Sequence, residues 1–111
     1  MAAVAPQHSD LDLIFDSLNV DDFNIVDNLI FSIAKSSPSS TPVKIISQDV
    51  DPSRFVVDNV AKSVVVTLLA QDINNDSGKF FMNLYVESGG KRITHLTKEL
   101  NIQKTVNYEA P

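Results

Sequence analysis

Residues 10–35 read DLDLIFDSLNVDDFNIVDNLIFSIAK, and the secondary structure assigned to them decides the fold class. Leu11, Ile14, Phe15 and Leu18 recur at i, i+3, i+4 and i+7, a spacing that puts apolar side chains on one face of a helix. Asp12 and Asp16 fall on the other side, and Ser9 or Asp10 supplies a side-chain oxygen to cap the first turn. Asp22 interrupts the stripe, so Asn19-Val20-Asp21 reads as a joint. Beyond it Phe23, Val26, Ile30 and Ile33 form a second stripe over 22–35, widened by Ile25 and Leu29. Asp22 at its start and Lys35 at its end suit the helix dipole. The spacing therefore predicts one or two helices over 10–35, with a single kinked helix as the alternative.

On both sides of this segment the pattern changes. Residues 1–9 have small residues, Pro6 and no apolar period, and read as a flexible tail. Residues 36–42, SSPSSTP, form a Ser/Pro loop that no helix continues through. From Val43 onward the period is two. Strands are expected over Val43–Val50, Phe55–Val57, Lys62–Asp72, Lys79–Glu87 and 92–98, and over Glu99–Val106 in preference to a helical turn. Lys62–Asp72 carries Val64, Val66, Leu68 and Ala70 on one side and Val65, Thr67 and Leu69 on the other, the load of a central strand. Ser88-Gly89-Gly90-Lys91 marks a tight hairpin, because two glycines accept the positive φ of a primed turn. Together these elements predict an α+β domain over 10–107: N-terminal helices packed on an antiparallel meander of four to six strands.

The charge is unevenly placed. Residues 1–42 hold six aspartates against Lys35, which gives −5, while residues 43–111 hold eight acids and eight bases. The whole net charge of −5 therefore belongs to the first two-fifths of the chain. An acidic chain lacks the basic footprint of a nucleic-acid binder and of a surface that docks on anionic lipid. No apolar run approaches the length of a membrane span. There is no cysteine, which excludes disulfides, thiolate metal sites and thiol nucleophiles. Small secreted domains commonly depend on disulfides, and the first ten residues lack the basic and apolar regions of a signal peptide. The expected home is intracellular, cytoplasmic or nuclear. Asn75-Asp76-Ser77 fits a glycosylation sequon and reads as turn composition.

Catalytic and cofactor patterns are sparse. His8 and His95 have no ligand partner at helical or hairpin spacing, and there is no nucleophile elbow. Gly78-Lys79 and Gly90-Lys91 lack the flanking residues of a phosphate loop. The Asp72–Gly78 loop is rich in side-chain oxygens but lacks the glycine and glutamate of a calcium loop. No metal, no cofactor and no catalytic residue is therefore assigned. Lys91, Arg92, His95 and Lys98 read as the charged protection of an edge strand.

The function expected from these features is a small non-enzymatic interaction protein, such as an adaptor, regulator, inhibitor or accessory subunit. Its protein partner is not specified by the sequence. A homodimer is expected, because one helical layer leaves a sheet this wide with a second apolar face. The candidate interaction residues are Phe81, Tyr85, Val65 and Leu69 on the sheet, and Leu11, Ile14 and Leu18 on the first helix. Two alternatives stand beside it. One is a ligand-binding or catalytic domain whose pocket between helix and sheet uses His95, Tyr85, Asp72 and Asp49. The other is an acidic-hydrophobic effector whose N-terminal helix docks on a basic partner.

Overall fold

In a computed structural model of the chain, the described residues are 3–7, 10–16, 18–37 and 41–103, and they form eight strands. These are β1 (Ala3–Pro6), β2 (Leu11–Phe15), β3 (Asn28–Lys35), β4 (Lys44–Ser47), β5 (Phe55–Asp58), β6 (Ser63–Leu68), β7 (Gly78–Ser88) and β8 (Lys91–Gln103). The strands make two sheets. One has the order β1-β8-β7-β3-β4, the other β2-β6-β5. All pairs are antiparallel except β1 with β8. The protein is therefore an all-β sandwich, and the α+β expectation is overturned: among the described residues the only helical elements are 3₁₀ turns of three or four residues.

Leu13 explains the error over the first segment. It lies off the helical stripe, yet it is buried, while Ile14, which lies on the stripe, is 58% exposed. The working period is two: Leu11, Leu13 and Phe15 turn inward, and Asp12 and Ile14 turn outward. The second segment divides. Asp22 accepts a hydrogen bond from the Asn24 N–H and caps a 3₁₀ turn over Phe23–Ile25, and β3 follows. In β3 both faces are apolar, so helical and strand periods fit equally well. Pairing with β4 and β7 selects the strand, with Leu29, Phe31 and Ile33 buried inward. The effector reading falls with the helices, because Leu11, Leu13, Phe15 and Leu18 are part of the sandwich interior. The expected tail includes β1, which pairs with β8 from Ala3↔Leu100 to Pro6↔Gln103.

The strands expected after residue 43 are present with changed limits. The first is confined to Lys44–Ser47, and residues 48–50 turn. The long apolar segment ends as a strand at Leu68 and continues as a 3₁₀ turn over Ala70–Ile73. The two final strands are one, β8, whose expected extension over 104–106 lies outside the described residues. Gly89 and Gly90 turn the β7–β8 hairpin at φ 61° and 75°. These are left-handed values that favour glycine.

The core lies between the sheets. Val64, Val66 and Leu68 of β6 face Leu29, Phe31 and Ile33 of β3 and Phe80, Met82, Leu84 and Val86 of β7, all buried. Phe15 of β2 meets Phe31 of β3 edge to face at 6.1 Å between ring centroids, an aromatic contact from one sheet to the other. Asn59 fastens the β2–β3 crossing. Its Oδ1 accepts from the Phe23 N–H, and its Nδ2 donates to Asp22.

Candidate functional site

The sandwich has two outer faces, and they differ in chemistry. On the five-stranded sheet, inward burial of Phe80, Met82, Leu84 and Val86 turns Phe81, Asn83, Tyr85 and Glu87 of β7 outward. Register places Ile30 beside Tyr85 and Ser47, Ser32 beside Asn83 and Ile45, and Ala34 beside Phe81. On the β8 side, Tyr85 is opposite His95, Asn83 opposite Thr97, and Phe81 opposite Glu99. The centre of this face is closed: Ser32 is only 7% exposed and Asn83 8%, although both point away from the core. Thr97 Oγ1 donates to Asn83 Oδ1 at 2.7 Å, so this central amide is satisfied within the sheet. The charges at the rim are balanced locally. Lys79 pairs with Glu99 at 2.8 Å and lies over the Phe81 ring, and the Arg92 guanidinium stacks on Tyr85 at 3.9 Å. The result is a face of aromatic and aliphatic side chains with a closed centre and little net charge.

The three-stranded sheet presents a different face. Ile14, Val65 and Val56 stand in register across β2, β6 and β5. Asp12 flanks this row on one side, where it accepts from Thr67 Oγ1, and Asp16 and Asp58 flank it on the other.

The sequence candidates are thus distributed, not gathered. Phe81 and Tyr85 share the outer face of the five-stranded sheet. Val65 and Ile14 lie on the opposite outer face, and Leu69 precedes the 3₁₀ turn that follows β6. Leu18 is buried, and Leu11 is partly buried against the core, so neither belongs to an outer sheet face. Sequence reasoning missed Ile30, Ile45 and Val56. Strand geometry turns all three outward once β3, β4 and β5 are assigned as strands, and the helical reading of residues 22–35 concealed this for Ile30.

The residues of the alternative pocket do not converge, and among the described residues there is no helix longer than a 3₁₀ turn to form its roof. Tyr85 is on the outer face, Asp49 is exposed in the turn after β4, and the imidazole of His95 lies outside the described residues. Asp72 is engaged elsewhere. Its carboxylate is buried, accepts from Arg54 Nη1 at 2.8 Å and from the Leu69 N–H at 2.8 Å, and has Lys44 Nζ at 3.8 Å. Burial alone would raise its pKa. The hydrogen bonds from Arg54 and Leu69, with the charges of Arg54 and Lys44, outweigh that and hold it below the usual carboxylate value. Beside this cluster is a shallow cleft of about 200 Å³, lined by Lys44, Ile45, Ile46, Ser47, Val50, Asp51 and Arg54. Its cations already bond Asp51, Asp72 and the Thr67 carbonyl. Among the described residues no group of three His, Asp or Glu side chains is placed to hold a metal ion.

Comparison with known proteins gives a structural likeness only. No family model matches the chain, and no curated protein matches it. A solved structure of the NK cell receptor Nkp44, described as a triggering partner in natural cytotoxicity, superposes with a TM-score of 0.51 at 16% identity, covering 93% of this chain and 99% of that one. The fold is immunoglobulin-like. In antibody domains a disulfide and a tryptophan tie the two sheets of such a sandwich. This immunoglobulin-like chain has neither cysteine nor tryptophan, and apolar packing such as the Phe15–Phe31 contact holds its sheets together. Among the described residues no helix is long and apolar enough to cross a membrane.

Proposed function

We propose that the protein is a non-enzymatic protein-interaction module that self-associates through the outer face of its five-stranded sheet. The observation that carries this reading is the layout of that face. Phe81 and Tyr85 are flanked in register by Ile30 and Ala34, with Ile45 on the next strand, over a centre closed by Ser32 and Asn83. Flat, closed apolar faces with aromatic anchors and polar rims are the anatomy of protein interfaces. The local pairing of Lys79 with Glu99, and of Arg92 with Tyr85, leaves no net field to repel a second copy. Two such faces meeting about a two-fold axis can exchange the Lys79–Glu99 pairing across the interface. The likeness to an immune receptor domain agrees with an interaction role at the level of the fold.

Sedimentation equilibrium of the full chain over a wide concentration range tests the reading. The wild type is expected to approach twice its 12.2 kDa mass, and Tyr85→Glu to remain at the single-chain mass. Ile14→Glu, on the opposite face, is expected to associate as the wild type does. A wild type that stays at single-chain mass throughout would overturn the proposal, as would equal association by Tyr85→Glu.

A further inference from the structure

We infer that the outer face of the three-stranded sheet is a second docking surface, whose occupant is a basic amphipathic helix of another protein. Three observations lead there. The first is the aliphatic row. Ile14 is 58% exposed and Val56 64%, and Val65 lies between them in register. With strands about 4.8 Å apart, the row spans roughly 10 Å. A sheet face meant only for water has no use for three branched aliphatic side chains in line, where threonine or lysine would serve the strand equally well.

The second observation is the frame around the row. Asp10, Asp12, Asp16, Asp21, Asp22 and Asp58 lie on β2, β5 and the adjoining turns, against Arg54 before β5, Lys62 before β6 and Lys98, which reaches from β8 to the Ile14 carbonyl. Six carboxylates against three cations leave the surround of the row acidic. All three cations are occupied: Lys62 donates to the Asp21 carbonyl and Asn59, Arg54 to Asp72 and the Thr67 carbonyl, and Lys98 to the Ile14 carbonyl. The opposite outer face has its charges paired. An acidic surround therefore frames one apolar row.

The third observation concerns the occupant. A second copy would bring the same acidic surround to this face, or the nearly neutral five-stranded face, and neither complements it. A cationic partner does. The row's length of roughly 10 Å is that of two helical turns at about 1.5 Å per residue, so aliphatic anchors at i, i+3 or i+4, and i+7 of a helix would cover it. Lysines or arginines on the flanks of the same helix would meet Asp12 on one side and Asp16 and Asp58 on the other. This inference does not depend on self-association through the five-stranded face.

The test is an amide chemical-shift titration of the isotope-labelled full chain. The probe is a synthetic amphipathic helix with leucine at i, i+3, i+4 and i+7 and lysine elsewhere. Its control is the same peptide with glutamate in place of lysine. The lysine peptide is expected to shift residues 12–16, 56–58 and 63–67, and to bind at least tenfold more weakly when salt is raised from low to high. The glutamate peptide is expected to shift nothing. The double variant Ile14→Ser with Val56→Ser changes only exposed side chains and is expected to lose at least tenfold in affinity while its remaining spectrum is unchanged. Shifts scattered over Asp27, Asp49 and Asp76 as well would show diffuse charge attraction and overturn the inference. So would equal binding by the double variant, equal binding of the glutamate peptide, or shifts at this face driven by protein concentration alone.

Discussion

Removing the Asp72 carboxylate is the sharpest perturbation of the sandwich. Its side chain is 4% exposed and that of Arg54 15%, so Asp72→Ala strands a guanidinium where little water reaches it. The substitution also deletes the acceptor for the Leu69 N–H. Breaking a buried ion pair by deleting one partner costs about 3–5 kcal/mol. Here the lower end applies, because Arg54 keeps the Thr67 carbonyl at 2.9 Å and Asp51 at 3.5 Å. At about 4–8 °C per kcal/mol for a domain of this size, a loss of about 3 kcal/mol lowers Tm by roughly 12–24 °C. Asp72→Asn retains an oxygen for the Leu69 N–H and is expected to cost about half as much. The pH dependence follows from the lowered pKa. The folded state binds this proton more weakly than the unfolded chain, so the stabilisation is present above the unfolded value of about 3.9 and fades as pH falls through the folded value. Urea denaturation followed by far-ultraviolet circular dichroism, repeated across the acid range, measures both effects. A midpoint for Asp72→Ala corresponding to less than about 1 kcal/mol of destabilisation would refute the reasoning. So would an acid limb unchanged in Asp72→Asn.

Three further outcomes are expected. Lys35→Met removes an ion pair with Asp76 at 2.7 Å whose side chains are 41% and 46% exposed, so it should cost less than about 1 kcal/mol and lose its effect in high salt, read from denaturation midpoints. Phe31→Ala opens a cavity opposite Phe15 where both rings are fully buried, and should cost about 3–5 kcal/mol in the same assay. Gly90→Val places a β-branched side chain at φ 75°, where the space is open but the backbone is strained; it should lower Tm through a loss of about 1–2 kcal/mol, whereas Gly90→Asn should cost less.

Much of the sheet was legible because β6 and β7 alternate cleanly. Phe80, Met82, Leu84 and Val86 are one buried set and Phe81, Asn83 and Tyr85 the outward one, as their spacing implies. The Gly89-Gly90 turn was equally readable, since the positive φ of both residues is a local demand. Residues 10–35 were misread for two physical reasons. In LDLIF the outward Ile14 adds an apolar residue to a face that strand logic expects to be polar, and it completes a helical spacing with Leu11, Phe15 and Leu18 by chance. In β3 both faces are apolar because the strand is central, flanked by β4 and β7, and local periodicity does not distinguish such a strand from a helix. The same two departures mark the candidate surfaces: Ile14 belongs to the acidic face, and Ile30 to the neutral one. The charge asymmetry was legible along the chain, but its placement required the fold, which gathers five of those six aspartates, together with Asp58, around β2 and β5.

Intermolecular contacts test the central claim most directly. In an equimolar mixture of isotope-labelled and unlabelled full chain, an isotope-filtered nuclear Overhauser experiment records only proton pairs on different copies. The account predicts cross-peaks from the Phe81 and Tyr85 rings to Ile30, Ile45 and Phe81 of the second copy. Cross-peaks centred on Ile14 and Val56, or none at concentrations where sedimentation shows a dimer, would contradict it.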